Sequence, residues 1–106
     1  MRPVDILPKD LEIVLGILRR FVAGLEVRAA GSRASGEARR FSDLDLIIMT
    51  ERPLDISVLA GLSDAFSDSD LPFSVDVLDW ASIEESFRRL IYEGSVVIQP
   101  KSRDGF

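Results

Sequence analysis

The sequence predicts an α/β (α+β) fold, a mixed β-sheet of about four strands with helices packed against it. Three observations predict it. Apolar spacing switches along the chain between helical and strand periods, in the order helix, strand, short helix, strand, helix, strand, helix, strand. The 106 residues suffice for one core, so residues 1–100 read as a single domain and 101–106 as a loose tail. The composition, 46% hydrophobic and 29% charged, is that of a folded domain and not of a disordered chain.

The first helix starts near Pro8, which suits a first helical turn, and stops at Gly24. Leu11, Val14, Leu15, Leu18 and Val22 follow the spacing of an amphipathic face. Ile13, Ile17 and Phe21 add a second apolar row, which either widens the core-facing stripe or docks a partner. Glu26 to Ala30 reads as a short strand ending at the turn signal Gly31-Ser32. Arg33 to Ala38 fits a short helix weakened by Gly36. Leu44 to Thr50 is a strand buried on both faces for most of its length, broken by Pro53. Asp55 caps a helix containing Leu59, Leu62 and Phe66. A polar loop, Asp68 to Pro72, leads to a strand from Phe73 to Leu78 that alternates around Val75 and Val77. Ser82-Ile83-Glu84-Glu85 has the form of a capping box. It opens a helix with Ile83, Phe87, Leu90 and Ile91 on one face, closed by Gly94. Val96 to Gln99 forms a last strand, stopped by Pro100.

Composition removes several chemistries. There is no cysteine, hence no disulfide, no thiolate nucleophile and no Cys-ligated metal. There is no histidine, hence no Ser-His-Asp triad and no imidazole base. Any metal must be held by oxygen, which suits Mg²⁺, Mn²⁺ or Ca²⁺. A net charge of −5 argues against binding long duplex nucleic acid, although a local basic patch can hold one small phosphate compound. The N-terminus lacks the apolar run of a signal peptide, and Leu46-Ile47-Ile48-Met49 is too short to span a bilayer. The expected location is the cytoplasm, with no membrane partner.

Three features carry candidate chemistry. Gly31-Ser32 ends a strand with a helix behind it. Glycine permits close backbone approach, the turn's N–H groups form an anion site, and Ser32 adds a hydroxyl donor. Taken alone, the pair reads as a plain turn. In Asp43-Leu44-Asp45, residues two apart on a strand share a face, so two carboxylates lie side by side at the entrance of an apolar strand. A divalent cation relieves their repulsion; a solvated strand end is the alternative. If Val75 and Val77 face the core, Asp76 faces the other way, and on a neighbouring strand it would join the first two. Three carboxylates without histidine suit a two-metal phosphoryl or nucleotidyl site, whereas Asp76 alone reads as an edge-strand charge. Arg33, Arg39 and Arg40 put positive charge beside the turn, and Arg33, adjoining Gly31-Ser32, is the favoured phosphate contact. A solvated helix face accounts for at least one of the three.

Other patterns carry less. Gly31 to Gly36 has Walker spacing, but Glu37 stands where the lysine belongs. Ser32 lacks a nucleophile-elbow setting and a base. Asp68-Ser69-Asp70 sits in a polar loop without the Gly and Glu of a calcium loop. Asp79 is placed to cap the following helix, and Trp80 belongs to the core or its rim.

Gly31-Ser32, ten residues, then Asp43-x-Asp45 resembles the signature of the polymerase-β-like nucleotidyltransferase superfamily. Gly31 to Ala38 and Ser42 to Leu46 resemble its minimal nucleotidyltransferase branch, antitoxins paired with HEPN-domain toxins. The resemblance extends over nearly the whole chain, through Val75-Asp76-Val77 and the Phe87-Arg88-Arg89 helix. It implies the polymerase-β-like fold. It implies that Asp43 and Asp45 hold two Mg²⁺ ions on the triphosphate of ATP, and that Gly31 and Ser32 bind the β- and γ-phosphates. Asp76 would help one metal and promote deprotonation of an acceptor hydroxyl. In that branch AMP passes to a tyrosine of the toxin. Arg39-Arg40-Phe41 departs from relatives, where this stretch is often small or acidic, and bears on acceptor binding. No helical substrate domain of the antibiotic-modifying kind is present, which favours a protein acceptor. Two other readings stand beside the active antitoxin: a binding antitoxin that blocks its partner sterically, and a stand-alone enzyme acting on a small molecule or RNA end.

Overall fold

Leu7 and Pro8 begin the first regular element, α1 (Pro8–Phe21). Proline at the first position has no N–H to leave unsatisfied. Asp10 in the first turn and Arg19 and Arg20 in the last complement the helix dipole. Val14, Ile17 and Leu18 are buried, and Val22 closes the helix through its N–H to Leu18 O (2.8 Å). The structure, a computed structural model, describes residues 4–35 and 42–102. After α1 come β1 (Val27–Ala30), α2 (Ser32–Ser35), β2 (Leu44–Ile48), α3 (Ile56–Ser67), β3 (Val75–Asp79), a 3₁₀ turn (Trp80–Ser82), α4 (Glu85–Glu93) and β4 (Val96–Gln99).

The strands form one mixed sheet in the order β3-β2-β1-β4. β1 runs antiparallel to β2 and β4, and β2 runs parallel to β3. A parallel pair needs a long crossover, and α3 supplies it. Side chains alternate across strands, so register assigns the two faces. Val27 and Ala29 of β1, Leu44, Leu46 and Ile48 of β2, and Val75 and Val77 of β3 face α1 and α3. The first five are fully buried against Val14, Leu18, Leu62 and Phe66. Each of the Val, Leu and Ile side chains contributes about 1.5–3 kcal/mol by leaving water. The opposite face carries Arg28, Asp45, Ile47, Asp76 and Leu78, aligned through the pairs Arg28–Ile47, Asp45–Asp76 and Ile47–Leu78. Ile47 is also buried, so β2 is covered on both sides except at Asp45.

The second row of α1 belongs to the core. Ile17 is buried, Ile13 and Phe21 pack at its edge, and the Phe21 ring lies where a Cβ on Gly61 of α3 would stand, 2.5 Å away. Asp55 caps α3 by accepting from Ser57 N–H (2.7 Å) and Ser57 Oγ–H (2.6 Å).

Three expectations are corrected at the C-terminal end. The Ser82–Glu85 capping box does not form. Ser82 ends the 3₁₀ turn and donates its hydroxyl to Asp79 Oδ2 (2.9 Å), while α4 starts at Glu85 without a side-chain cap. Asp79 does not cap the following turn through its side chain; it is buried and accepts Leu54 N–H (2.9 Å), tying the loop before α3 to the end of β3. The apolar face of α4 is not a core face: Phe87 is 55% and Leu90 74% exposed, and Ile83 precedes the helix. The helix is held from its other side. Tyr92 stacks on the Arg28 guanidinium (4.2 Å to the ring centroid), and the Trp80 ring meets it edge-on (5.9 Å, 65°). Residues 36–38 of the expected short helix and 103–106 of the tail lie outside the described residues.

Candidate active site

The site is built where β1 ends. The chain turns at Gly31 with φ +76°, a conformation that suits glycine. A Cβ at this position would stand 2.5 Å from Asp45 Oδ2. Glycine is therefore needed twice, for the backbone and for the carboxylate that lies against it. The turn and the acid come together because Ala30 and Asp45 are register partners on adjacent strands. Asp76 is the partner of Asp45 on the other side, which places two carboxylates on neighbouring strands, whose backbones lie about 4.8 Å apart. Asp43 lies just ahead of β2, two residues before Asp45 and exposed. Leu44 N–H, between them, donates to Ser74 O (2.9 Å) and holds the mouth of the strand in register with β3.

Electrostatics couples the three acids. Burial pushes the Asp45 carboxyl above the usual carboxylate range, and the charges of Asp76 and then Asp43 push it the same way. Asp45 thus sits where its ionised form is disfavoured. Among the described residues no group of three or more acids is arranged to hold an ion by itself. Mg²⁺, however, is ordinarily held by one or two carboxylates completed by substrate phosphates and water. The Asp45–Asp76 pair with Asp43 in Coulombic reach fits a centre of that kind, and a cation there would relieve the repulsion that raises the Asp45 pKa.

Arg33 takes a different place from the one favoured on sequence. Its guanidinium is buried and turned inward. Nε donates to Ser42 O (2.9 Å), Nη1 donates to Asp5 O (2.9 Å), and the plane lies 4.0 Å from the Phe73 ring centroid. The arginine braces the residue preceding Asp43 against the N-terminal segment, so it acts on the site through the backbone. The side chain of Ser32, and Arg39, Arg40 and Phe41, lie outside the described residues.

Two features had no sequence signal. Arg28 lies on the acid-bearing face, donating to Ser95 Oγ (2.6 Å) and pairing with Glu26 (3.1 Å). It anchors α4 on that face through Tyr92 and Ser95, which are remote from it in sequence. The second feature is a cleft of about 640 Å³ lined by Asp45, Asp76 and Leu78 on one side and by Ile56, Leu59 and Ala60 of α3 on the other. A strand edge open beside the acids is a property of strand order, which periodicity does not report.

Residues 26–104 match the family model described as Polymerase beta, Nucleotidyltransferase. The chain is 48% identical over 100 residues to the probable protein adenylyltransferase MntA of Haemophilus influenzae (strain ATCC 51907 / DSM 11121 / KW20 / Rd), spanning 94% of this chain and 88% of that protein. Among solved structures it is similar to a toxin-antitoxin with AMP-PNP (TM-score 0.71, 21% identity, 90% of this chain and 77% of that one). It is also similar to a complex of tri-AMPylated Shewanella oneidensis HEPN toxin with MNT antitoxin (TM-score 0.65, 18% identity, 91% and 74% coverage). At these identities the structural likeness reports a shared fold. No described helix is long and apolar enough to cross a membrane.

Proposed function

The chain belongs to the polymerase β nucleotidyltransferase family, and from that premise we propose that it transfers AMP from ATP to a hydroxyl, a tyrosine side chain, of a partner HEPN-type toxin and thereby acts as its antitoxin. The observation that carries this reading is the pairing of Asp45 with Asp76 on adjacent strands beneath the Gly31 turn. The adenylyltransferase name of the Haemophilus relative and the AMPylated toxin bound by the Shewanella antitoxin support the choice of group and partner.

In this reading the triphosphate lies along the Gly31 turn, where glycine lets phosphate oxygens approach the backbone closely. Asp43, Asp45 and Asp76 would hold Mg²⁺, which when bound would supply charge neutralisation of the triphosphate and lower the pKa of the attacking hydroxyl. Asp76 orients that hydroxyl and takes up its proton. The acceptor oxygen forms a bond to the α-phosphorus, the bond from that phosphorus to the β-phosphate's bridging oxygen breaks, and pyrophosphate leaves. Arg33 positions the loop that delivers Asp43 and does not touch the nucleotide.

The test is labelled ATP and Mg²⁺ with a co-expressed HEPN-type partner. Label on a partner tyrosine is expected; stable co-purification without label would point to a steric antitoxin. Mg²⁺-ATP at about ten times its Kd should stabilise the fold by roughly 1.4 kcal/mol, a rise of about 5–10 °C in Tm. A flat melting temperature across millimolar Mg²⁺-ATP counts against nucleotide use.

A further inference from the structure

We propose that the acceptor enters as an extended segment that adds to the free edge of β3, with its hydroxyl-bearing side chain on the Asp76 side and its neighbours packed on α3. The inference rests on the transferase reading and adds how the acceptor is held.

Among the described residues β3 pairs with β2 alone, so its outer edge is open. Leu44 N–H bonds Ser74 O, and in a parallel ladder alternate residues address the neighbour. Ser74, Asp76 and Leu78 therefore turn their backbone groups to β2, and Val75 and Val77 turn theirs outward. An unpaired edge of this kind is a template for an incoming strand. The space beside it is already shaped. The cleft of about 640 Å³ and a second of about 670 Å³ share Ser63, Val75 and Asp76, so they join end to end along β3 with Asp76 at the junction. A groove that runs past the acceptor-activating acid in both directions suits a chain better than a small molecule. The span from Ser74 to Leu78 is about 13 Å, room for about five extended residues.

The two walls differ, and that difference specifies the occupant. One wall is the acid-bearing face, with Asp45, Asp76 and Leu78. The other is the outward side of α3, with Ile56, Leu59, Ala60 and Ser63, of which Ile56 is 82% exposed. Side chains of an added strand alternate between these walls. The acceptor residue faces Asp76; the residues immediately before and after it face α3 and are apolar. Residues two away return to the acid face, where acidic side chains would meet Asp76 and Asp45 and are excluded.

A positional-scanning library of seven-residue peptides centred on tyrosine, with labelled ATP and Mg²⁺, reads this pattern. Apolar residues should be preferred on both flanks of the tyrosine, and Asp and Glu disfavoured two positions away. Ala60→Trp and Ser63→Trp fill the α3 wall from exposed helix positions. They should lower labelling about 10²-fold, the cost of misplacing a reacting group by about 1 Å, and leave the Mg²⁺-ATP melting shift intact. Without nucleotide, the best peptide should slow amide exchange at Val75 and Val77 by about tenfold or more and leave Val96 unchanged. Flat flank preferences with full labelling by both Trp variants overturn the proposal. So do unprotected Val75 and Val77 amides at millimolar peptide, whether or not label is transferred, and so does a dimer of the free protein that Ala60→Trp dissolves. Loss of the Mg²⁺-ATP shift in the unmodified protein speaks instead against the transferase reading, which the exchange experiment does not use.

Discussion

The two faces of the central strand are built to opposite rules. On the helix-covered face, Leu44, Leu46 and Ile48 of β2 lie at zero exposure among apolar side chains. One residue away, the other face presents Asp45 with Asp76 beside it and Asp43 before it, an arrangement whose charges oppose one another. Strand alternation separates the two by a single step in sequence. One face maximises stability, and the other holds a repulsion that ligand binding is suited to relieve. The same strand thus carries both the core and the site, and substitutions on its two faces should act on different observables.

The largest expected effect falls on the acid face. Asp43→Asn and Asp45→Asn each keep shape and remove charge. Each should lower AMP transfer by about 10²–10³-fold, roughly 2.7–4 kcal/mol on the barrier. The metal-free Tm of Asp45→Asn should hold or rise, because a repelled, partly buried carboxylate is gone. Transfer at normal rates by both variants would show that other carboxylates do the work.

Leu46→Ala tests the opposite face. Leu46 is fully buried, and truncation of such a leucine costs about 2–5 kcal/mol. For a domain of this size Tm should drop by roughly 10 °C or more. Transfer per folded molecule, measured well below the new Tm, should fall much less than in the aspartate variants. Equal loss of both quantities would mean that the faces are not separable. Gly31→Ala joins them and is expected next in size. Its φ of +76° is strained for alanine and its Cβ meets Asp45 Oδ2, so it should lose about 1–2 kcal/mol of stability and displace the carboxylate at once. Transfer should fall with it, and restored activity in a Gly31→Ala protein would deny the turn its role.

Much of this contrast is legible in the sequence, and the illegible part has a physical cause. The periods of Leu44 to Met49 and Val75 to Val77 locate the strands, and the two-residue spacing of Asp43 and Asp45 sets them on one side. That Asp76 lands beside Asp45, and not on a distant strand, depends on strand order and register, which no local pattern carries. Arg33 shows a different limit. Its closeness to Gly31 in sequence suits a phosphate contact, yet the partners that occupy it, Asp5 O and Ser42 O, are backbone atoms brought in by tertiary folding. Helix α4 shows a third. Its stripe of Phe87, Leu90 and Ile91 has core spacing, but Arg28 and Trp80 seize the helix through Tyr92 and leave the stripe outward. Amphipathic spacing reports that a face is apolar, not what covers it. The Ser82–Glu85 pattern fails for a related reason: the buried carboxylate of Asp79 takes the serine hydroxyl first.

The smallest effect sharpens the comparison through pH. In the metal-free protein Asp45 has a raised pKa, so the folded state keeps a proton that the unfolded chain has released. Its contribution therefore weakens the fold as pH rises from the ordinary aspartate value through the raised one, and stays unfavourable above it. The exposed cap Asp55 has the opposite sign. Bonds from the Ser57 hydroxyl and N–H hold its carboxyl below the usual range, so its stabilisation is present at neutral pH and fades as pH falls through the lowered value. The two groups partly cancel in the total, and only variants separate them. With EDTA present, the Tm advantage of Asp45→Asn over the unmodified protein should be greatest near pH 7 and shrink as acid protonates Asp45. Asp55→Asn retains a capping side chain but no charge. Here the unmodified protein is the more stable of the two, and the deficit of the variant should be greatest at neutral pH and vanish in acid. Saturating Mg²⁺ and ATP should abolish the first difference and leave the second, because only Asp45 belongs to the proposed cation site.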